Sequence, residues 1–379
     1  MRVVIFCSSY LPTQSSGGTV RAVAGLAARL GGEYELYVFS RHDATQPSTE
    51  APVGCWHRRS EAVVYYAPRL DLVPHRMSAL ISAIDPDGYY VNSLLSPAFG
   101  ILPVHLRWLG AVPRRPLILA PRGELHPAAL RLKRLKKQGF LGVARRLPAY
   151  SDVLWHAGTA IEASDIRREF GVRARVIVAR DLSSLTDFSA PARVEKRPGE
   201  LSIACLARIT PVKNLAGALR ILANVRGRVH YNVYGPIVEP AYYTECVRIA
   251  RDLPSNVRVT FEGEVDHDRV IDVLAGHHLL FLPTLGESFG HAILEALIAG
   301  CLLLVSDQTP WRNLKGEGVG WDLPLTDERA FVEALQACVA MNDAEFAVAS
   351  SRAHALGVSA ATSQVAVAEN RALFEQFRG

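Results

Sequence analysis

Short apolar runs alternate along this chain with segments whose apolar positions recur at steps of three and four residues. The first habit belongs to strands buried on both faces, the second to helices with one apolar side. In the first half the pattern predicts strands over 3–8, 34–39, 63–66, 89–92, 117–120, 153–156 and 175–178. Helices are expected between them over 20–30, 76–84, 99–109 and 162–170. From 181 to 200 the alternation lapses into Ser, Thr, Pro and charge, which reads as a linker. It then resumes, with strands expected over 201–206, 231–234, 257–261, 279–282 and 302–305. Such regular strand–helix alternation predicts parallel sheets flanked by helices, here two doubly wound α/β domains facing across a cleft. Ligands of such sheets bind beyond the carboxyl ends of the strands, so the residues just after each strand are the candidates for chemistry.

A length of 379 residues also points to two domains, since single cores rarely grow so large. Hydrophobic content of 49% with 21% charged residues describes a soluble globular enzyme. Cys7, Cys55, Cys205, Cys246, Cys301 and Cys338 are scattered with no Cys-x-x-Cys pair. That predicts reduced thiols in a cytoplasmic protein and argues against a zinc site. The opening apolar run is too short for a signal sequence, and no window approaches the roughly 20 apolar residues of a membrane span. Membrane contact would therefore be peripheral.

The net charge of +5 has a local origin. Between Leu125 and Ser151 there is no acidic residue, but Arg131, Lys133, Arg134, Lys136, Lys137, Arg145 and Arg146 are present. Removing those seven from the 42 basic residues leaves 35 against 37 acidic. If helical, Ala128, Leu132, Leu135, Gly139 and Val143 form a narrow apolar stripe flanked by these cations. Such a face can meet anionic lipid, or it can pack by its stripe and leave the charges solvated. Nucleic acid is disfavoured because no aromatics alternate with the charges.

The chemistry concentrates in residues 279–304, where a strand, a glycine-punctuated loop and a helix follow one another. Gly286 and Gly290 flank Glu287-Ser288-Phe289, and a helix is expected from His291. Amides around Phe289, Gly290 and His291 form a candidate phosphate nest. Glu295, about one turn into the helix, can accept from ribose hydroxyls, and Glu287 can reach a transferred sugar. As a bland alternative, either carboxylate could be a surface charge or a helix-dipole partner. After the strand at 201–206 come Arg208 and Lys213 around a proline turn, a fork and a mobile point charge suited to a diphosphate. After the first strand, Thr13-Gln14-Ser15-Ser16-Gly17-Gly18-Thr19 precedes a helix, a weak anion-site signal alone. No Gly-x-Gly-x-x-Gly occurs, which argues against a dinucleotide-dependent dehydrogenase.

Arg208 with Lys213, and the run Glu287-Ser288-Phe289-Gly290-His291-Ala292-Ile293-Leu294-Glu295-Ala296, resemble the retaining GT-B glycosyltransferases of family 4 with their Glu-x7-Glu motif. The run from Pro283 to Trp311 looks especially like members that build bacterial cell-surface polysaccharides. The resemblance extends to the Gly17-Gly18 loop, to Ala120-Pro121-Arg122-Gly123-Glu124-Leu125 and to the C-terminal helix. It implies an N-terminal acceptor domain over 1–182, completed by a helix at about 360–379 that crosses back, and a donor domain over 183–359.

It further implies that Arg208 and Lys213 neutralise the departing diphosphate of a UDP- or GDP-sugar. Glu295 would hold ribose, Glu287 the donor sugar, the amides of Phe289, Gly290 and His291 the phosphate, and Gly263 to Val265 the base. The donor is a co-substrate, and neither a cofactor nor a metal is expected. The acceptor would be a saccharide, lipid-linked through polyprenyl diphosphate, met at the inner face of the cell membrane.

Arg122 stands where many relatives have His, and with Glu124 it is expected to clamp acceptor or sugar. Ala179-Arg180-Asp181 replaces a Pro-Asn-Gly near the linker. The alternatives are an epimerase or hydrolase of the same fold, and a non-catalytic membrane-associated subunit.

Overall fold

The computed structural model describes residues 1–12, 17–43, 52–132 and 134–378. The chain divides into two compact units, Met1–Leu185 together with Ser363–Gly379, and Thr186–Thr362. The division falls three residues beyond the expected boundary at 182.

The first unit holds β1 (Arg2–Cys7), β2 (Glu35–Arg41), β3 (Trp56–Arg59), β4 (Ala62–Ala67), β5 (Gly88–Val91), β6 (Leu117–Leu119), β7 (Leu154–Ala157) and β8 (Val176–Val178). They form one sheet in the order β3-β4-β2-β1-β5-β6-β7-β8, parallel except where β3 runs against β4. Two apolar clusters cover its faces. Into one of them the helix Gln364–Glu375 and the turn after it insert Phe374 and Phe377, which pack edge to face. Phe377 needs a glycine beneath it: a Cβ at Gly88 would lie 2.1 Å from its ring. One C-terminal helix was expected over 360–379. Instead a long helix ends at Ala361, and Ser363 caps a new one by accepting from the Ala366 amide.

The second unit holds β9 (Glu200–Leu206), β10 (Arg228–Tyr234), β11 (Val257–Gly263), β12 (Leu279–Leu282), β13 (Leu302–Ser306) and β14 (Gly320–Leu323). Their order is β11-β10-β9-β12-β13-β14 and every pairing is parallel. β12 and β13 are buried at every position, which is why both read as unbroken Leu, Phe and Val. β10 alternates buried and open positions, as its Arg-Val-His-Tyr-Asn-Val-Tyr sequence requires.

The segment expected to be a linker is anchored at its far end. The Lys196 side chain is buried, and its ammonium donates to the carbonyls of Arg197 at 2.8 Å, Met341 at 3.0 Å and Val339 at 3.3 Å. Two of those carbonyls close the helix Glu328–Ala340, where a cation meets the negative end of the dipole.

Candidate active site

In the second sheet the strand order reverses between β9 and β12. In a doubly wound fold that reversal opens a crevice at the carboxyl ends of the two strands. The chain leaving β9 keeps pairing past the strand, with Ala207 N donating to Tyr234 O and Ile209 N to Pro236 O, both at 2.9 Å. It then makes a tight turn, Pro211–Lys213, closed by Asn214 in the left-handed region at φ 54°. Asn tolerates that conformation better than most side chains, and here Asn214 Nδ2 also donates to Pro283 O at 3.0 Å.

Two further bonds stitch this turn to the loop after β12: Leu285 N to Val212 O at 2.7 Å and Thr284 Oγ1 to Val212 O at 3.1 Å. The end of β13 joins through Ser306 Oγ to Thr284 O at 2.5 Å, and the loop after it through Glu287 N to Gln308 O at 3.0 Å. Three loops thus form one scaffold. On it Lys213 Nζ and the Glu287 carboxylate form an ion pair, the side chains only 18% and 12% exposed. Arg208, on the same β9 loop, is exposed.

Gly290 takes φ 83° ahead of the helix His291–Ile298, whose first turn no side chain caps. The Ile293 and Leu294 amides turn back onto Gly290 O at 2.9 and 3.1 Å, and the helix start carries the partial positive charge that favours an anion. A Cβ at Gly290 would come 2.9 Å from Ile293 Cδ1. Phe289 is held by its carbonyl, which accepts from Trp311 Nε1 at 2.7 Å, and its ring lies 4.8 Å from that of His291. Glu295 is buried at 4% exposure, four residues beyond His291 and so on the same helix side. Burial of a carboxylate there disfavours the bland reading of it as a surface charge. At the end of β11, Gly263 adopts φ 80° and accepts from Gly235 N at 2.7 Å, with open space where a Cβ would stand. Val265 packs on the core.

In the first unit the structure commits Arg122 and Glu124 to the fold rather than to an open clamp. Arg122, at φ 56° just after β6, is 5% exposed and pairs with Asp181, itself 6% exposed. Its Nε donates to Asn92 Oδ1 at 2.7 Å and its Nη2 to the Tyr90 hydroxyl at 2.6 Å. Tyr90 in turn bonds His156 Nδ1 at 2.6 Å, and His156 Nε2 bonds Ala179 O at 2.7 Å. The carbonyl can only accept, so Nε2 carries the proton and Nδ1 accepts from the tyrosine. Burial, helped by the Arg122 charge, pushes the His156 imidazole down to about 4, so it is neutral. Burial opposes the Arg122 cation, but Asp181, Tyr90 and Glu162 together outweigh it, and its pKa rises.

Glu124 accepts from Leu94 N at 2.6 Å, Ser93 Oγ at 2.8 Å and Leu95 N at 3.0 Å. Burial raises its pKa and that of Glu162, which receives the Gly123 and Gly158 amides. Gly17 starts the helix Gly18–Leu30, where Asn92 Nδ2 holds Thr19 O at 2.9 Å. Thr13–Ser16 lie outside the described residues.

The basic segment is two helices, Pro127–Arg131 and Arg134–Ala144. The packed-stripe expectation is corrected: Leu135 is 87% and Val143 57% exposed, and the second helix buries Leu141 and Ala144 instead. Arg131, Arg134 and Lys136 are exposed, while Lys137 Nζ donates to Ala129 O at 2.6 Å. Lys133 lies outside the described residues. Among the described residues no helix is long and apolar enough to cross a membrane, and no cluster of three potential metal ligands occurs. Asp85-Pro86-Asp87 has the Asp-x-Asp form, but Asp87 accepts from Arg2 N at 2.7 Å and Asp85 pairs with Arg2 and Arg115. A second such triplet, Asp266-His267-Asp268, follows β11.

Two Rossmann-like parallel-sheet units of this build define the GT-B fold. Residues 188–351, most of the second unit, match the model of the family described as Glycosyl transferases group 1. The class these findings support is a GT-B glycosyltransferase. Among characterised proteins, the D-inositol 3-phosphate glycosyltransferase of Rhodococcus erythropolis is 25% identical over 316 residues, 74% of this chain and 68% of that one. Among solved structures, Anabaena HepE in complex with UDP and glucose superposes with a TM-score of 0.70 at 17% identity, over 100% of this chain and 99% of that one. Sucrose-phosphate synthase from Thermosynechococcus elongatus gives 0.72 at 14% identity, over 99% and 98%. At those identities the structural likeness speaks for the fold.

Proposed function

We propose that this chain is a retaining glycosyltransferase that moves a sugar from a nucleoside-diphosphate sugar to a saccharide acceptor, without a metal. The observation that carries the reading is the cluster at the β9/β12 reversal: a cation and a carboxylate, Lys213 and Glu287, fixed beside an uncapped glycine-led helix start. The family match over 188–351 covers that cluster, and HepE, a protein of this fold, is described in complex with UDP and glucose. In this reading Arg208, Lys213 and the helix amides take the diphosphate, Glu295 the ribose hydroxyls, Glu287 the sugar, and Gly263 to Val265 the base.

As the bond between the anomeric carbon and the phosphate oxygen breaks, charge grows on the diphosphate, where fixed cations and dipoles stabilise it most. The acceptor oxygen bonds the anomeric carbon on the same face, and its proton passes to the departing phosphate. Configuration is thereby kept. The acceptor is a lipid-linked glycan of bacterial surface polysaccharide synthesis. The exposed Leu135 and Val143, on a segment that also exposes Arg131, Arg134 and Lys136, rest on the anionic inner face of the membrane.

The test is a thermal-shift screen against UDP, GDP and their sugars, followed by transfer assays with and without EDTA. A ligand that binds the native state raises its melting temperature. The expected result is a shift with one nucleotide family and EDTA-resistant transfer. No shift with any nucleotide at saturation would overturn the donor site. Donor turnover equally fast without acceptor would replace transfer by hydrolysis or epimerisation.

A further inference from the structure

The two residues expected to serve opposite ends of a donor are bonded to each other. Lys213 is assigned to phosphate, Glu287 to sugar hydroxyls, yet their side chains meet in an ion pair largely shielded from solvent. The backbone beneath them does not depend on that pair. Leu285 N to Val212 O, Asn214 Nδ2 to Pro283 O and Glu287 N to Gln308 O fix both loops independently. Any anion that takes Lys213 must compete with a carboxylate already there. An intact sugar nucleotide compensates by offering hydroxyls for Glu287 to accept, whereas a free diphosphate offers only more negative charge.

Resting on the donor-site reading above, we propose that Glu287 is an internal counter-ion that masks Lys213. The mask makes the site discriminate against bare diphosphate and favours release of the spent nucleotide over its retention. Glu287 thus sets specificity twice, by gripping the sugar and by weakening the product. The charge pair is largely shielded, so its attraction is well above that in bulk water.

The experiment is titration calorimetry of the full chain and its Glu287→Gln variant with inorganic pyrophosphate, UDP and GDP, repeated in a Lys213→Gln background. Gln keeps the shape and loses the charge. The expected result is about tenfold tighter binding of pyrophosphate and of the cognate nucleotide to Glu287→Gln. In the Lys213→Gln background the same change should do no more than about twofold. A purely structural role for Glu287 would weaken binding, not strengthen it. Unchanged or weaker binding by Glu287→Gln, with the wild type binding normally, overturns the masking role and leaves the donor site standing. If the wild type binds none of the three probes, the donor-site reading itself falls.

Discussion

His156 is buried and neutral between a tyrosine that donates to it and a carbonyl that accepts from it, so the first unit should lose stability in mild acid. Its pKa falls from 6.5 to about 4 on folding, with burial the larger cause and Arg122 the second. The unfolded chain therefore binds the extra proton first. Stability from this group is complete above about pH 6.5, declines as pH falls towards 4 and levels off below. The full difference is worth about 3 kcal/mol, of which about 2 kcal/mol is expressed between roughly pH 7.5 and pH 5.

The perturbation is His156→Gln, whose amide keeps a donor and an acceptor but does not titrate. Urea unfolding, followed by fluorescence of the neighbouring buried Trp155, is measured at both pH values. Wild type should lose about 2 kcal/mol more than the variant on acidification, seen as a lower midpoint at unchanged slope. His277, lowered to about 4 by burial in the second unit, acts equally on both proteins and cancels. Equal acid sensitivity of the two proteins would refute the assignment of His156 as a buried neutral group.

Gly235 sits at φ 137°, and a Cβ there would come 2.1 Å from the carbonyl oxygen of Ala207. Gly235→Ala should cost at least about 2 kcal/mol, read as a lower melting temperature; an unchanged melt would contradict the close approach at the β9 loop. Lys196→Met should cost about 1–3 kcal/mol, because it strands the buried carbonyls that the ammonium now satisfies. An unshifted urea midpoint would show that those carbonyls find other partners.

Much of the fold is visible in the chain because the central strands are buried on both faces and must be apolar throughout, as β12 and β13 are. β3 and β14 escape that logic. β3 reads Trp-His-Arg-Arg and exists only because it pairs against β4, its Trp56 ring packing 5.1 Å from that of Tyr65. β14 opens on Gly320, where a Cβ would stand 1.9 Å from Leu303 O, so a breaker residue marks a strand. The loops that carry Lys213 and Glu287 could be picked out by their glycines and charges at strand ends, and the structure brings them together.

The network around Arg122 was not legible, since Asp181 is 59 residues away and Tyr90 lies 66 residues before His156. A sequence shows that Arg122 is charged; only the meeting of β5, β6 and β7 shows that the charge is already used. The basic helix gives the complementary lesson. Its apolar period was real, but period alone does not say which side turns inward, and Leu141 rather than Leu135 is buried.

The first unit is assembled from both ends of the chain, because Phe374 and Phe377 finish a core begun by Val3 and Ile5. On a ribosome, where residues emerge in order, the second unit has its whole sequence available before the first does. The first must wait some 180 residues with Tyr34 and Tyr90, which Phe374 later packs against, still lacking that partner. Synthesis and folding are then out of sequence: the half that starts first is completed last, and a ribosome that stalls before Ser363 releases a chain whose earliest strands still lack their final layer.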